Sequence, residues 1–182
     1  MAALKLNRPA LLIIDVQVGL IHGPQKPLDG ERLLANINLL IAQAHEAGAP
    51  VLAVRHTGPH GSPIAQGSPF WQVAPELGLN ESNARLFDKQ AASAFQGTDL
   101  EQWLKADGIQ DLVIVGLKTQ YCVDTACRVA AQLGFRPVLV ADAHSCMDTD
   151  LLAAEVIIAH HNQTLNGPIA RVVATADIHF QG

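Results

Sequence analysis

Three residues of catalytic type follow or precede apolar segments of this sequence. Asp15 ends the apolar run at residues 10–14, Lys89 follows a second run at 84–87, and Cys122 stands directly before an amphipathic segment. A thiol at the first turn of a helix lies near unpaired backbone N–H groups, which stabilise an anion. Such placement lowers a cysteine pKa from about 8.5 into the range of roughly 3.5–7.5. The pattern predicts a nucleophilic thiolate at Cys122.

The same N–H groups would receive the negative oxygen that forms when a thiolate attacks a carbonyl. A second interpretation of Cys122 stays open, because free cysteine is among the most buried residue types and packs as a small hydrophobe. Cys127 falls inside a helical segment and Cys146 follows a strand, so both are interpreted as packing residues. Three cysteines without zinc-like spacing predict neither a disulfide framework nor a metal cluster.

The elements that would position these residues alternate along the chain. Continuous apolar runs predict buried strands at residues 10–14, 51–54, 84–87, 111–116, 136–142 and 171–174. Helical spacing of apolar residues predicts helices at residues 29–47, 98–106, 123–133 and 151–161. Thr98 is the expected N-cap of the second helix, with Glu101 three residues later. This order predicts an α/β fold of three layers, a doubly wound, six-stranded parallel sheet with helices on both faces.

In open parallel sheets, ligands bind at the carboxyl ends of the strands, near the point where the strand order reverses. The predicted strand ends carry Asp15, Lys89 and the turn that leads to Cys122. An acid, a lysine and a cysteine are therefore expected along one edge of the sheet, which is the expected site of chemistry.

The composition restricts the classes of partner. The chain has 182 residues, a formal net charge of −5 and 16% charged residues. An acidic chain without a Lys/Arg run is not expected to bind nucleic acid or an anionic membrane. The length predicts one domain over residues 1–182, and the lack of a signal sequence or long apolar stretch favours a cytoplasmic location. The low charge content, against roughly 25% in soluble domains, favours a homo-oligomer.

Many doubly wound α/β folds bind a nucleotide at a glycine-rich turn after the first strand. The turn after the first predicted strand reads DVQVGL at residues 15–20, and neither G-x-G-x-x-G nor G-x-x-x-x-G-K-[ST] occurs in the chain. No nucleotide and no other cofactor is therefore expected.

Three segments together resemble the isochorismatase-like cysteine hydrolases, a family with a Rossmann-like sheet. They are LLIIDVQ at residues 11–17, FDKQAASAF at 87–95 and GLKTQYCVDTA at 116–126. Each segment alone is a weak signal, whereas the three in this order at three predicted strand ends are specific. The similarity extends over nearly the whole chain.

The resemblance implies a catalytic set of Asp15, Lys89 and Cys122. Asp15 would take the thiol proton and later activate water, and Lys89 would stabilise carboxylate and thiolate. Attack on a carbonyl would release an amine or ammonia and leave a thioester for hydrolysis. The cis peptide of the family maps to Leu117 and Lys118, and the amides of Lys118 and Cys122 would bind the oxyanion. The implied reaction cleaves a carbon–nitrogen bond of a small amide or carbamoyl compound.

The sequence departs from the metal-binding branch of this family. Its nicotinamidases carry Asp-x-His and a further His after the second strand, whereas His56 and Gly58 stand at the first two of these positions. His56 and His60 lie four residues apart in a Gly/Pro loop, without helical geometry to hold zinc. We expect no metal, and nicotinamide is a less favoured substrate.

Five further residues are candidates for the substrate pocket: Gln17, His56, Phe70, Trp71 and Tyr121. Gln17 would orient Asp15 or a substrate amide, or serve only as a turn residue. The two loop aromatics belong to residues 56–83, and a loop this long is usually functional or disordered. They are expected to cover the pocket, to cover the site of a neighbouring subunit, or to pack on the core.

Two other functions stay open. One is vinyl ether cleavage of the isochorismatase type, which needs the acid more than a thiol. The other is a catalytically silent binding domain of the same fold, against which the presence of Asp15, Lys89 and Cys122 argues. Family members are commonly dimers or tetramers, so a homodimer or homotetramer acting on a small molecule is expected. Fold similarity does not name the substrate.

Overall fold

Six strands form one parallel sheet in a computed structural model that describes residues 4–180. They are β2 (Pro9–Ile14), β3 (Val51–His56), β4 (Arg85–Lys89), β5 (Asp111–Leu117), β6 (Arg136–Ser145) and β7 (Arg171–Val173). Their order is β4-β3-β2-β5-β6-β7. The order reverses between β2 and β5, which is where a ligand crevice is expected in such a sheet. Two short strands that the sequence did not predict, β1 (Leu4–Lys5) and β8 (Ile178–His179), pair with each other.

Helices cover both faces of this sheet, as the apolar runs predicted. They are α1 (Val18–Ile21), α2 (Gly30–Glu46), α3 (Leu100–Ala106), α4 (Asp124–Gln132) and α5 (Ala154–Leu165). Along β2, Leu11 and Ile13 pack in the core cluster that contains α2, while Leu12 and Ile14 pack in the cluster that contains α3 and α4. Every β2 side chain between two helical layers is therefore apolar. The three-layer doubly wound fold is confirmed. No helix among residues 4–180 has the length and apolarity needed to cross a membrane.

Two predicted helix starts are wrong, because side chains bind the backbone before the helix begins. Thr98 Oγ1 donates to the Ala94 carbonyl at 2.6 Å, and α3 starts at Leu100 with Asp99 at its N-cap. The last predicted helix begins at Ala154, whose N–H donates to Asp148 Oδ1 at 2.8 Å. Local turns thus replace the first turn of each predicted helix.

Gly116 brings the ends of β2 and β5 into backbone contact. Its φ is +116°, and a Cβ placed on it would lie 2.1 Å from the carbonyl oxygen of Ile14. The register between β5 and β6 also shifts here, between Ile114 and Gly116. Only glycine fits this conformation and this approach. The two strands that lead to Asp15 and Cys122 are thereby held side by side.

Candidate active site

Asp15 occupies an unusual backbone conformation directly after β2. Its φ is +52°, a left-handed value that aspartate tolerates better than most residues. Its N–H donates to the Val54 carbonyl at 3.0 Å, so the turn is fixed to the end of β3. The carboxyl group is buried. Oδ1 has no hydrogen-bond partner within residues 4–180, and it is therefore available to a bound molecule.

Lys89 is the last residue of β4 and the hub of the site. In register it stands beside His56, the last residue of β3. Its side chain is 0% exposed, and its Nζ lies 2.9 Å from Asp15 Oδ2 and 3.2 Å from Cys122 Sγ. The same Nζ lies 3.2 Å from His56 Nδ1 and 3.1 Å from the Ala91 carbonyl oxygen. The buried ammonium group of Lys89 thus contacts the other two residues of the predicted catalytic set, Asp15 and Cys122.

Cys122 lies in a π-helical turn, Thr119–Val123, that precedes α4. The peptide bond between Leu117 and Lys118 is cis, as expected. Sequence periodicity cannot separate such a turn from the first turn of an α-helix, and so the helix was predicted to start one residue too early. π-helical turns occur frequently at functional sites.

The expected lowering of the Cys122 pKa is wrong. Burial first and the carboxylate of Asp15 second raise the pKa of this thiol to about 11, although the charge of Lys89 lowers it. Burial also raises the pKa of Asp15, against the stabilising charge of Lys89. In this site the resting nucleophile is a thiol, and the neighbouring carboxylate is a stronger base than a solvent-exposed one.

Gln17 and His56 are fixed to each other by hydrogen bonds. The His56 N–H donates to Gln17 Oε1 at 2.8 Å, and Gln17 Nε2 donates to the carbonyl oxygens of His56 at 3.1 Å and Trp71 at 2.8 Å. Gln17 therefore connects β3 to the long loop, and these hydrogen bonds fix its side chain in the wall of the site. The pKa of His56 is lowered because the ring is partly buried and lies beside the Lys89 charge.

A cavity of about 240 Å³ opens beside the reactive groups. It is lined by Asp15, Gln17, Leu20, His56, Ile64, Lys118, Tyr121 and Cys122. Sequence reasoning missed Leu20 and Ile64, because neither stands in a motif or at a strand end. A larger cavity of about 550 Å³ borders Lys89, with neither Asp15 nor Cys122 in its wall. The smaller cavity is therefore the one in which a ligand meets the thiol.

The comparison with protein families decides the class. The isochorismatase domain matches residues 9–165. The chain belongs to the isochorismatase family. It is thus a hydrolase of that family, and the resemblance stated from the three sequence segments is confirmed.

Known relatives agree with this assignment. A streptothricin hydrolase from Streptomyces noursei is 33% identical over 141 residues, which cover 76% of this chain and 50% of that protein. The chain thus spans half the length of this relative. The isochorismatase family protein YecD from Escherichia coli O157:H7 is 27% identical, and the match covers 98% and 96% of the two chains. The crystal structure of an isochorismatase from Pseudomonas putida KT2440 superposes with a TM-score of 0.90 at 30% identity, covering 98% of this chain and 93% of that one.

Of the three places expected for the loop aromatics, packing on the core is the one that Trp71 takes in this isochorismatase-family hydrolase. Trp71 is buried beneath Arg55, whose Cζ lies 3.7 Å from the ring centroid, and Trp71 Nε1 donates to Thr57 Oγ1 at 2.8 Å. Phe70 lies against Gly19 of α1. Neither aromatic is in the wall of the reaction cavity, so the first of the three alternatives, that they cover the pocket, is corrected. They attach the loop to β3 and α1.

A polar chain supports the turn of this hydrolase that carries Cys122. Thr119 Oγ1 lies 2.9 Å from His144 Nδ1, and His144 Nε2 lies 2.8 Å from Asn162 Oδ1 on α5. Asn162 Nδ2 donates to the Ala141 carbonyl at 3.1 Å, which closes the chain onto β6. Thr119 and Asn162 are further residues that the sequence did not single out. This series of hydrogen bonds fixes Thr119, the first residue of the π-helical turn.

The described part of the chain brings together no set of metal ligands. Within residues 4–180, no three His, Cys, Asp or Glu side chains come close enough together to bind a metal ion. At the position of the first metal-branch histidine stands Gly58, where a Cβ would lie 2.8 Å from Ile64 Cγ1. The space of a ligating side chain is thus taken by Ile64.

Proposed function

We propose that this chain hydrolyses the carbon–nitrogen bond of a small amide or carbamoyl compound through a thioester on Cys122. The observation that carries the proposal is the contact of one buried ammonium, Lys89 Nζ, with both Asp15 Oδ2 and Cys122 Sγ. It puts a nucleophile and a base within reach of each other and of one cavity.

The first half of the reaction begins with a neutral thiol. Because the Cys122 pKa is about 11, a free thiolate is scarce near neutral pH, and the proton must leave as Sγ attacks the carbonyl carbon. Asp15 accepts that proton, and Lys89 stabilises the negative charge that moves onto sulfur. The carbonyl oxygen becomes an oxyanion beside the amides of Lys118 and Cys122. The C–N bond then breaks as Asp15 returns the proton to the leaving nitrogen, and a thioester remains.

Water completes the cycle. Asp15 accepts a proton from water as the water oxygen attacks the thioester carbonyl. The C–S bond then breaks as Asp15 returns this proton to sulfur, which gives the acid and the Cys122 thiol. The second carboxylate oxygen, Oδ1, has no partner within residues 4–180 and supports this role, because it can receive a water or amide hydrogen. Every step uses groups of this chain and water.

The proposal is tested with ammonia release from a panel of small amides. Cys122→Ala, Asp15→Asn and Lys89→Met are each expected to reduce kcat/KM by more than about 10³-fold, because the three residues act as a unit. Cys127→Ala is the matched control, since Cys127 is a buried cysteine one turn further along α4 and outside the cavity. Its activity is expected to equal that of the wild type.

Mass spectrometry of the quenched reaction is expected to show an acyl group on Cys122. Full activity of a folded Cys122→Ala protein would contradict the covalent mechanism. The amide would then be hydrolysed directly by a water that Asp15 activates. Loss of a vinyl ether substrate with the acid, but not with the thiol, would instead favour acid-dependent cleavage by Asp15.

A further inference from the structure

We propose that the cavity selects amides with a compact, uncharged and apolar acyl group, and that Leu20 and Ile64 set the size of that group. This inference rests on the proposed amide hydrolysis and names its substrate class.

The polar side chains of the lining are largely used by the protein itself. Gln17 spends its Oε1 on the His56 N–H and its Nε2 on two carbonyl oxygens, so both amide hydrogens have acceptors. His56 Nδ1 faces the ammonium of Lys89. With Asp15 and Cys122 committed to the reaction, the wall that remains for the acyl group is formed chiefly by Leu20, Ile64 and the ring of Tyr121.

Among the residues that line the cavity, Lys118 is the one charged side chain outside the reacting set. The pKa shifts of Asp15, His56 and Cys122 arise from burial, from one another and from Lys89. Arg55, the nearest other cation of β3, donates to Asp88 Oδ1 at 2.8 Å and stacks on Trp71.

The Lys118 charge also lowers the pKa of buried Cys146, which lies outside the cavity. A carboxylate held between Leu20 and Ile64 would lose its water against apolar side chains, and we infer that Lys118 does not pair with it.

Ile64 reaches the cavity because position 58 is glycine. The Gly58 N–H donates to the Ile64 carbonyl at 2.9 Å, which folds the loop back on itself. A Cβ at position 58 would lie 2.8 Å from Ile64 Cγ1 and 2.5 Å from Ser62 Oγ. Any side chain there would displace Ile64 from the wall. The residue that replaces the metal-branch histidine thus makes room for an apolar wall.

The cavity also limits the size of the substrate. Its volume of about 240 Å³ corresponds to about eight water molecules at ~30 Å³ each. An amide of about eight non-hydrogen atoms therefore fills it, on that same measure. Two such amides differ only in charge: 4-methylpentanamide ends in an isopropyl group, and succinamate ends in a carboxylate of nearly the same shape.

These two amides provide the test. The wild type is expected to release ammonia from 4-methylpentanamide with a kcat/KM at least thirtyfold above that for succinamate. Ile64→Ala is expected to move the preferred chain length of linear amides up by one or two carbons. Leu79→Ala, a partly buried loop residue outside the cavity, is the matched control and is expected to keep the wild-type preference. Equal or better turnover of succinamate, or an unchanged chain-length preference in Ile64→Ala, would overturn the inference.

Binding to Cys122→Ala protein, measured by titration calorimetry, separates this inference from the proposed function. Tighter binding of 4-methylpentanamide than of succinamate supports the apolar site whether or not ammonia is released. Tight binding without ammonia release by the wild type would refute amide hydrolysis and leave the inference standing. Equal binding of the two amides, or weaker binding of the neutral one, would refute the inference, and ammonia release would still support amide hydrolysis. Loss of succinamate binding in Lys118→Met would also count against the inference, because it would show that the Lys118 ammonium contacts the substrate.

Discussion

Protonation of His144 is expected to destabilise the fold in a defined pH window. The ring is 3% exposed, and both of its nitrogens are hydrogen-bonded inside the protein. Because Asn162 Nδ2 donates to Ala141, Asn162 Oδ1 is left to accept from His144 Nε2–H. His144 Nδ1 then accepts from the Thr119 hydroxyl, and a proton on Nδ1 removes that acceptor.

The size of the effect follows from the pKa of this residue. The pKa of His144 is lowered from 6.5 to about 4, chiefly by burial. The charge of His161 also lowers this pKa, whereas the hydrogen bond to Asn162 and the charge of Asp142 raise it. Between these two values the unfolded chain binds a proton that the folded chain does not bind. At about 1.4 kcal/mol per pH unit, about 3 kcal/mol of stability is present above pH 6.5 and is lost as the pH falls to 4.

Urea unfolding followed by circular dichroism, at half-unit steps from pH 7 to pH 4, measures this loss. His144→Gln keeps one acceptor and one donor but cannot titrate. The free energy of unfolding of the variant minus that of the wild type is therefore expected to rise by about 3 kcal/mol from pH 7 to pH 4. Asp15 and His56 also titrate, and their contributions cancel in the difference between the two proteins. His60→Gln, at an exposed position, is the matched control and should run parallel to the wild type. Parallel curves for wild type and His144→Gln would refute the reasoning.

Three further predictions concern the strands and the site. Because the Cys122 pKa is about 11, alkylation by iodoacetamide at pH 8 should be about 10²-fold slower than for free cysteine. Asp15→Asn should accelerate it by removing a negative charge, and an unchanged rate would argue against that charge as a cause. Gly116→Ala should lower the free energy of unfolding in urea by at least about 3 kcal/mol, because the added Cβ would meet backbone atoms of Ile14. A urea midpoint equal to that of the wild type would contradict the close approach. Gln17→Leu breaks three hydrogen bonds of a buried side chain and should cost about 2–4 kcal/mol in the same assay, with Gln72→Leu, an exposed neighbour in the loop, as control.

The sheet and the reacting residues could be predicted because both depend on local patterns. A strand buried between two helical layers must be apolar on both faces, and the β2 and β5 segments therefore stand out in the sequence. Asp15 and Cys122 follow such segments, Lys89 ends the more polar β4, and parallel strands bring their carboxyl ends to one edge. The contacts among these residues therefore follow from topology.

The pocket wall could not be predicted, because it depends on contacts distant in sequence. Ile64 reaches the cavity through a turn that Gly58 closes, and the loop carries no periodicity to indicate it. Trp71 is conspicuous by type, yet its partner is Arg55 of β3 and not a substrate. The pKa of Cys122 was predicted with the wrong sign, since helix position indicates a stabilised anion while burial and Asp15 oppose it.

Gly116 and Ile64 imply two kinds of position in a saturation-mutagenesis library of this protein. At Gly116 backbone meets backbone, so every other amino acid should be lost under selection, whichever amide is supplied. At position 64 the side chain faces the cavity, so the surviving residues should change with the amide used for selection. The map of tolerated residues would then report the requirements of the fold at position 116 and those of the substrate at position 64.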